Sequence, residues 1–167
     1  MQTNEVKRFM GVMFKFHNER INYNVIPSDY LLTIELKFPM FLCVNCCSHE
    51  KPGIHWLGIV VPRPRSKVIF FDSYGQDITT YGPNFVKFLH RVEEKAVEQR
   101  HVRVQEYGTD TCGQFVLYFL CKIYCGESLS AFYSTLSTSN QWKNELLVKQ
   151  FVDVKRNLLR HCCVDKS

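Results

Sequence analysis

The chain lacks the long apolar segments of a membrane-spanning protein. None of its apolar runs approaches the roughly 18 residues that cross a bilayer. Its first residues, Met1 to Glu5, also lack the charged and then apolar pattern of a secretory signal peptide. We therefore expect a soluble, intracellular protein without a membrane partner.

Internal repeats and low-complexity tracts are absent as well. The composition instead suits a hydrophobic core, since 46% of the 167 residues are hydrophobic and 14% are aromatic. A chain of this length and composition forms one domain of ordinary size. We expect a single domain over residues 1–167.

The charge and the cysteine content bear on two properties, the binding of polyanions and the redox state of the thiols. The formal charge of +5 gives a mild preference for polyanions, although proteins without acidic partners often carry such a charge. The eight cysteines occur without an export signal, and the cytosol and nucleus keep thiols reduced. We expect free thiols rather than a disulfide framework.

Three apolar runs predict strands in the first half of the chain. They cover Phe38–Val44, His55–Val61 and Lys67–Asp72, and a proline-rich turn separates the last two. If these two form a hairpin, His55 at the start of one lies opposite Asp72 at the end of the other. This pairing would bring an imidazole and a carboxylate to one edge of a sheet.

The remaining segments are predicted mainly as helices. Helical periodicity covers 84–100, and an almost continuously apolar helix covers Cys112–Cys125. Alternation predicts an edge strand over His101–Tyr107, and residues 1–30 are predicted to be a packed leader. A final amphipathic helix is indicated by the spacing of Trp142, Leu146, Leu147, Phe151, Val154 and Leu158.

Cys112 begins the apolar helix, a position that suits a reactive thiol. The positive end of a helix dipole favours a thiolate there, and together with a neighbouring imidazolium it lowers a cysteine pKa from about 8.5 to roughly 3.5–7.5. We expect Thr109–Thr111 to provide capping oxygens for this helix. Gly113 would leave room for a substrate backbone beside the sulfur.

Three further residues complete a constellation for thiol chemistry. His55 is the candidate base, Asp72 would orient it, and Gln105 would donate to an oxyanion together with the Cys112 backbone N–H. Each residue alone has an ordinary structural explanation, such as a turn aspartate or a core cysteine. Found in this order at the ends of elements, the four predict a cysteine protease.

Several strings resemble the adenovirus-type protease family, adenain, including its relatives in Polinton/Maverick elements and adintoviruses. The resemblance runs from about Phe38 to Cys125, and the matching strings are Pro52–Trp56, Pro64–Lys67, Phe70–Gly75 and Gln105–Gly113. It implies the α+β fold shared with the deSUMOylating enzymes, in which a central helix carrying the nucleophile packs on a mixed sheet. The same roles for His55, Asp72, Gln105 and Cys112 follow from it. Adenovirus enzymes carry glutamate where this chain has Asp72, whereas deSUMOylases carry aspartate.

The resemblance also implies a setting and an activator. The substrates would be virion precursor proteins cut at glycine-containing sites, in the host nucleus and the virion, without a metal or other cofactor in the chemistry. Adenovirus protease is stimulated by DNA and by a disulfide-linked viral peptide. No cysteine lies between Ser48 and Thr111, which argues against a tethered activator here. Phosphate contacts for DNA are predicted at Arg63, Arg65, Lys67, Lys87, Arg91 and Lys95, which otherwise form a solvated face.

Two alternatives remain open from the sequence. A deubiquitinase or deSUMOylase would use the same triad, and in either protease Trp56 could wall a narrow tunnel that admits glycine. A zinc- or nucleic-acid-binding module without catalysis could instead be built on Cys43, Cys46, Cys47 and His49. The other candidate zinc ligands are His161, Cys162 and Cys163.

Overall fold

A five-stranded mixed sheet forms the centre of the protein. The computed structural model describes residues 3–15, 21–51, 53–93 and 96–162, with the backbone alone at residues 15 and 156–162. The strands are β1 (Asn22–Pro27), β2 (Met40–Asn45), β3 (Trp56–Val61), β4 (Val68–Phe71) and β5 (Val97–Glu98), arranged in that order. The inner pairs β2–β3 and β3–β4 are antiparallel, and the outer pairs β1–β2 and β4–β5 are parallel.

Helices surround this sheet, so the fold is α+β as predicted. They are α1 (Thr3–Lys15), α2 (Pro83–Arg91), α3 (Cys112–Tyr124), α4 (Leu129–Ser134) and α5 (Gln141–Cys162), with short 3₁₀ helices at Ser28–Leu32 and Ile78–Tyr81. Among the described residues, no helix combines the length and apolar character that crossing a membrane requires.

The sheet separates two clusters of buried apolar side chains. Along β2, Phe41 and Cys43 face the cluster that includes α1, α3, α4 and α5, whereas Leu42 and Val44 face the cluster that includes α2. β2 and β3 are buried along their whole length. This explains why both appear in the sequence as apolar runs without a polar face.

Helix α3 lies directly on β3. A Cβ atom added at Gly58 would lie 2.6 Å from the ring of Phe119, so only glycine permits this close approach. The contact fixes the height of α3 above the sheet. It thereby sets where the first residue of α3, Cys112, lies relative to the end of β3.

The predicted strands of the first half are confirmed, with small shifts at their ends, and the helix at Cys112 is confirmed from its first residue. The helix predicted over 84–100 is wrong beyond Arg91. Glu93 adopts a φ of 49°, and the chain then pairs Val97 and Glu98 with β4. The helical pattern continued past this break through Val92 and Ala96, but only Val92 is buried and Ala96 is exposed.

The edge strand predicted over 101–107 is also wrong. The backbone N–H groups of Val104 and Gln105 both donate to the carbonyl oxygen of Ser73, and the Asn144 side chain donates to the carbonyl oxygen of Val104. The segment is therefore held by a few individual hydrogen bonds to distant residues rather than by the hydrogen-bond ladder of a strand. Nothing in its own alternation distinguishes these arrangements.

The two ends of the chain show the remaining differences. The predicted leader holds α1 and β1, and Val6 and Met10 of α1 are fully buried in the core. The final helix is confirmed, but Trp142, Leu146 and Val154 are exposed, whereas Asn144, Glu145, Val148 and Val152 form its buried face. The Leu158 side chain lies outside the described residues.

Candidate active site

His55 and Asp72 meet at one edge of the sheet, as the predicted hairpin requires. β3 and β4 are antiparallel, and their register ends with Gly58 opposite Phe71. His55 directly precedes β3 and Asp72 directly follows β4. Their side chains form a buried hydrogen bond of 2.6 Å between Nε2 and Oδ1.

Asp72 is held by further donors. Its carboxylate accepts hydrogen bonds from the backbone N–H groups of Tyr74 and Gln76 and from the Tyr81 hydroxyl, the last at 2.7 Å. Burial alone would raise the pKa of Asp72, but the hydrogen bond and charge of His55 and the other donors hold the pKa below its ordinary value. The carboxylate is thus ionised and fixed in orientation.

Cys112 lies at the first position of α3 and bonds to His55. Because Nε2 of His55 is engaged by Asp72, Nδ1 is the nitrogen left for the sulfur. Burial alone would raise the pKa of the Cys112 thiol, but the hydrogen bond and charge of His55 outweigh it. Backbone N–H groups of Trp56 and Gly113 act in the same direction, so the pKa lies below its ordinary value.

The pKa of the His55 imidazole is raised, opposite to the change in the pKa of Cys112. Burial alone would lower the pKa of His55, but its bonds with Asp72 and Cys112 and their charges raise the pKa to about 9. The rings of Tyr74 and Tyr81 stack against His55 at centroid distances of 5.0 and 6.1 Å. Both shifts favour a thiolate–imidazolium pair, the reactive form of a catalytic cysteine.

Gln105 precedes Cys112 closely in the chain, and its side chain is fully buried. Its Oε1 accepts a 2.6 Å hydrogen bond from the Ser73 hydroxyl, and its Nε2 lies 3.0 Å from both the carbonyl oxygen and the hydroxyl of Thr109. An amide nitrogen carries two N–H groups. Donation to an oxyanion therefore requires that Thr109 occupy only one of them.

The two residues predicted to contact substrate are buried. Trp56 is 6% exposed and belongs to the core cluster under α3, and its backbone N–H is directed to the sulfur. Gly113 is buried in the first turn of α3. Both border Cys112, and the contacts to the sulfur come from their backbones.

Within the segment Thr109–Thr111, which was predicted to supply capping oxygens for α3, the Thr111 side chain does not cap the helix. Thr111 occupies the cap position without a side-chain cap bond, and its hydroxyl donates to Glu145 at 2.6 Å. Sequence reasoning missed Glu145 and Asn144 because both lie on the buried face of an amphipathic helix whose apolar residues suggested another orientation. Tyr81 was missed because an isolated tyrosine after a turn carries no distinguishing signal.

The predicted phosphate-binding residues differ in their availability. Arg63, Lys67 and Lys87 are exposed. Arg65 forms an ion pair with Glu93 at 2.6 Å. Arg91 donates to the carbonyl oxygens of Leu31 and Ile34, so its guanidinium group has a structural role. Lys95 lies outside the described residues.

The alternative zinc site is not assembled among the described residues. Cys43 faces the core under α3, whereas Cys46 packs against the cluster on the opposite face of the sheet. His49 pairs with Asp29. No group of at least three potential ligands occurs in the described part of the chain, and the side chains of 161–163 lie outside it.

No family model matches the chain, and no curated protein sequence matches it.

Proposed function

We propose that the protein is a cysteine endopeptidase. The observation that carries this proposal is the buried series Cys112–His55–Asp72, in which a thiol at a helix N-terminus bonds to an imidazole that bonds to an ionised carboxylate. A structural core cysteine requires neither partner. The lowered pKa of Cys112 and the raised pKa of His55 are the two shifts that a nucleophile and its acid–base partner need.

The residues support a two-step acyl transfer. The Cys112 sulfur attacks the peptide carbonyl carbon, and the carbonyl oxygen takes up the negative charge near the Cys112 backbone N–H and the Gln105 amide. The imidazolium of His55 gives its proton to the leaving amine, and a thioester forms as the C–N bond breaks. Water then attacks the thioester while His55 accepts its proton, and thiolate and imidazolium are restored when the acid product leaves.

The substrate class is proposed from the resemblance in sequence. The order His55, Asp72, Gln105, Cys112 and the α+β fold agree with an adenain-like enzyme that matures virion precursor proteins in the host nucleus and the virion, with DNA as a stimulating partner. The buried surroundings of the sulfur, with Trp56 and Gly113 beside it, favour substrates with glycine near the cut.

The test is hydrolysis of a peptide panel that varies the second residue before the cut between glycine and bulky residues. We expect cleavage of glycine peptides by the wild type and by Cys121→Ala, whose thiol lies on the same helix, and none by Cys112→Ala. Turnover by Cys112→Ala would contradict the proposal. Cleavage of ubiquitin or SUMO fusions in preference to free peptides would replace virion maturation with deconjugation.

A further inference from the structure

Glu145 is a buried carboxylate beneath the segment that leads into Cys112. It lies on α5 and is 1% exposed. Its Oε1 accepts from the backbone N–H of Glu106 at 3.1 Å and lies 3.0 Å from the Thr109 hydroxyl. Its Oε2 accepts from the Thr111 hydroxyl at 2.6 Å. One side chain thus holds three points of the loop between Gln105 and Cys112.

The network continues to the opposite side of the site. The Gln105 Nε2 lies 3.0 Å from both the hydroxyl and the carbonyl oxygen of Thr109, and the Gln105 Oε1 accepts from the hydroxyl of Ser73. Ser73 directly follows Asp72, and Thr111 directly precedes Cys112. A continuous series of hydrogen bonds therefore joins the turn that carries the acid to the helix end that carries the thiol.

The neighbouring residue anchors the same loop at its other end. Asn144 donates to the carbonyl oxygen of Val104 at 2.8 Å and to that of Ser137 at 2.7 Å, and it accepts from the Ser137 backbone N–H. Helix α5 therefore holds the backbone on both sides of Gln105. Neither Asn144 nor Glu145 takes part in the hydrogen bonds that join Cys112, His55 and Asp72.

Burying a carboxylate among neutral donors is unfavourable unless its hydrogen bonds are made with good geometry. The donors to Glu145 are the Thr111 hydroxyl and the Glu106 backbone N–H, and the single proton of the Thr109 hydroxyl is shared between Glu145 and the Glu106 carbonyl oxygen at 2.9 Å. All of these groups belong to this one loop. An apolar side chain of similar volume would fill the space but would leave the loop without its bonds. Glu145 therefore fixes the position of this loop, beyond filling space in the core.

We propose that Glu145 is a positioning residue for the oxyanion side of the site, which rests on the function proposed above. By holding Thr109 and Thr111, it fixes the Gln105 amide and the backbone N–H of Cys112 where the carbonyl oxygen of the substrate becomes negative. Donors placed in advance stabilise the transition state more than the bound substrate. Loss of Glu145 then lowers kcat and leaves KM and the ionisation of Cys112 nearly unchanged.

The test compares Glu145→Gln and Thr111→Val with Thr111→Ser, which keeps the hydroxyl, and with Asp153→Asn, an exposed acid on the same helix. We expect kcat to fall about 10- to 100-fold in the first two variants, within the range for a weakened oxyanion donor, and to stay near wild type in the others. The pH profile of Cys112 alkylation by iodoacetamide should be the same in all.

Two outcomes would overturn the assignment. One is wild-type kcat in folded Glu145→Gln and Thr111→Val. The other is an equal fall in kcat and in Cys112 alkylation, which would indicate general loss of structure. Thr111→Val removes a single hydroxyl, so it carries the test if Glu145→Gln does not fold.

Hydrogen exchange separates this assignment from the protease proposal. We expect faster amide exchange over 106–115 in Glu145→Gln, with β3 and β4 unchanged. If the wild type hydrolyses no peptide, the protease proposal fails, and exchange alone decides whether Glu145 holds the loop. Unchanged exchange over 106–115 would then overturn the positioning role.

Discussion

At the residue scale, the site depends on two opposed pKa shifts in one pair of side chains. His55 is buried and yet more basic than an ordinary imidazole, because it forms hydrogen bonds with Asp72 and Cys112 and their negative charges lie beside it. Cys112 is buried and yet more acidic than an ordinary thiol, because His55 and two backbone N–H groups face it. Each group therefore contributes to the pKa shift of the other.

The pair predicts a bell-shaped pH profile of kcat/KM. The reactive ion pair exists between the lowered pKa of Cys112 and the pKa of His55 at about 9, so activity should rise below the usual thiol range and fall near pH 9. Asp72→Asn removes the charge that raises the pKa of His55, and the descending limb should move to lower pH.

Asp29→Asn is the matched control, because Asp29 pairs with His49 away from the site. Its profile should follow that of the wild type. A descending limb that does not move in Asp72→Asn would show that Asp72 does not set the basicity of His55.

The sequence was sufficient to predict His55, Asp72 and Cys112 as a group, because each borders or begins an element whose apolar pattern is strong. Gln105 was predicted on a strand that does not form, and hydrogen bonds with Ser73 and Thr109 hold its side chain instead. Glu145 could not be found this way. Its role depends on α5 packing against a loop about 35–40 residues earlier in the chain, and no local pattern records that contact.

At the scale of elements, the geometry of the site is set by how α3 packs on β3. His55 borders β3 and Cys112 begins α3, and the ring of Phe119 on α3 packs directly over Gly58 of β3. β2, β3, β4 and α3 were predictable because burial on both sides gives apolar runs. The end of α2 was not predictable, because the chain after it is fixed by pairing with β4. The path over 101–107 was not predictable either, because its backbone donates to the carbonyl oxygen of Ser73.

We predict that Gly58→Ala destabilises the protein and impairs catalysis. The added methyl group would meet the Phe119 ring at 2.6 Å, and overpacking of this kind costs about 1–3 kcal/mol. Displacement of α3 would also separate Cys112 from His55. Thermal unfolding and the rate of Cys112 alkylation measure the two effects.

Gly11→Ala provides the contrast, since a Cβ there meets the Tyr23 hydroxyl at an ordinary 3.4 Å and alanine favours a helix by about 1 kcal/mol over glycine. It should be neutral or stabilising. Equal stability of Gly58→Ala and wild type would mean that α3 does not need this contact.

At the scale of the whole molecule, the structure joins two cores through one sheet and places the candidate site at the edge of that sheet. The α+β class was predicted from the resemblance in sequence, and the mixed sheet with its surrounding helices agrees with that class. The incorporation of α1 and β1 into the core was not predictable, because the first 30 residues are mixed in polarity and their burial depends on partners elsewhere.

The net charge of +5 belongs to this scale as well, and we predict salt-sensitive stimulation by duplex DNA. Arg63, Lys67 and Lys87 are exposed and available. Replacing each by glutamine should reduce the slope of log affinity against log salt by about 0.9 for each phosphate that the protein no longer neutralises. Lys149→Gln, an exposed lysine on α5, should leave the slope unchanged. No stimulation at the lowest salt would refute a DNA activator and leave the protease proposal standing.

The central claim is that Cys112 is an activated nucleophile, and site-resolved labelling with a peptide-based, thiol-directed electrophile tests it most directly. The exposed thiol of Cys125 serves as an internal control in the same molecule. The account predicts rapid labelling of Cys112 at neutral pH, slow labelling of Cys125, and a loss of roughly 10²–10⁴-fold in the Cys112 rate in His55→Ala, the range for removal of a general base. Equal labelling of the two cysteines, or a Cys112 rate that does not change in His55→Ala, would contradict it.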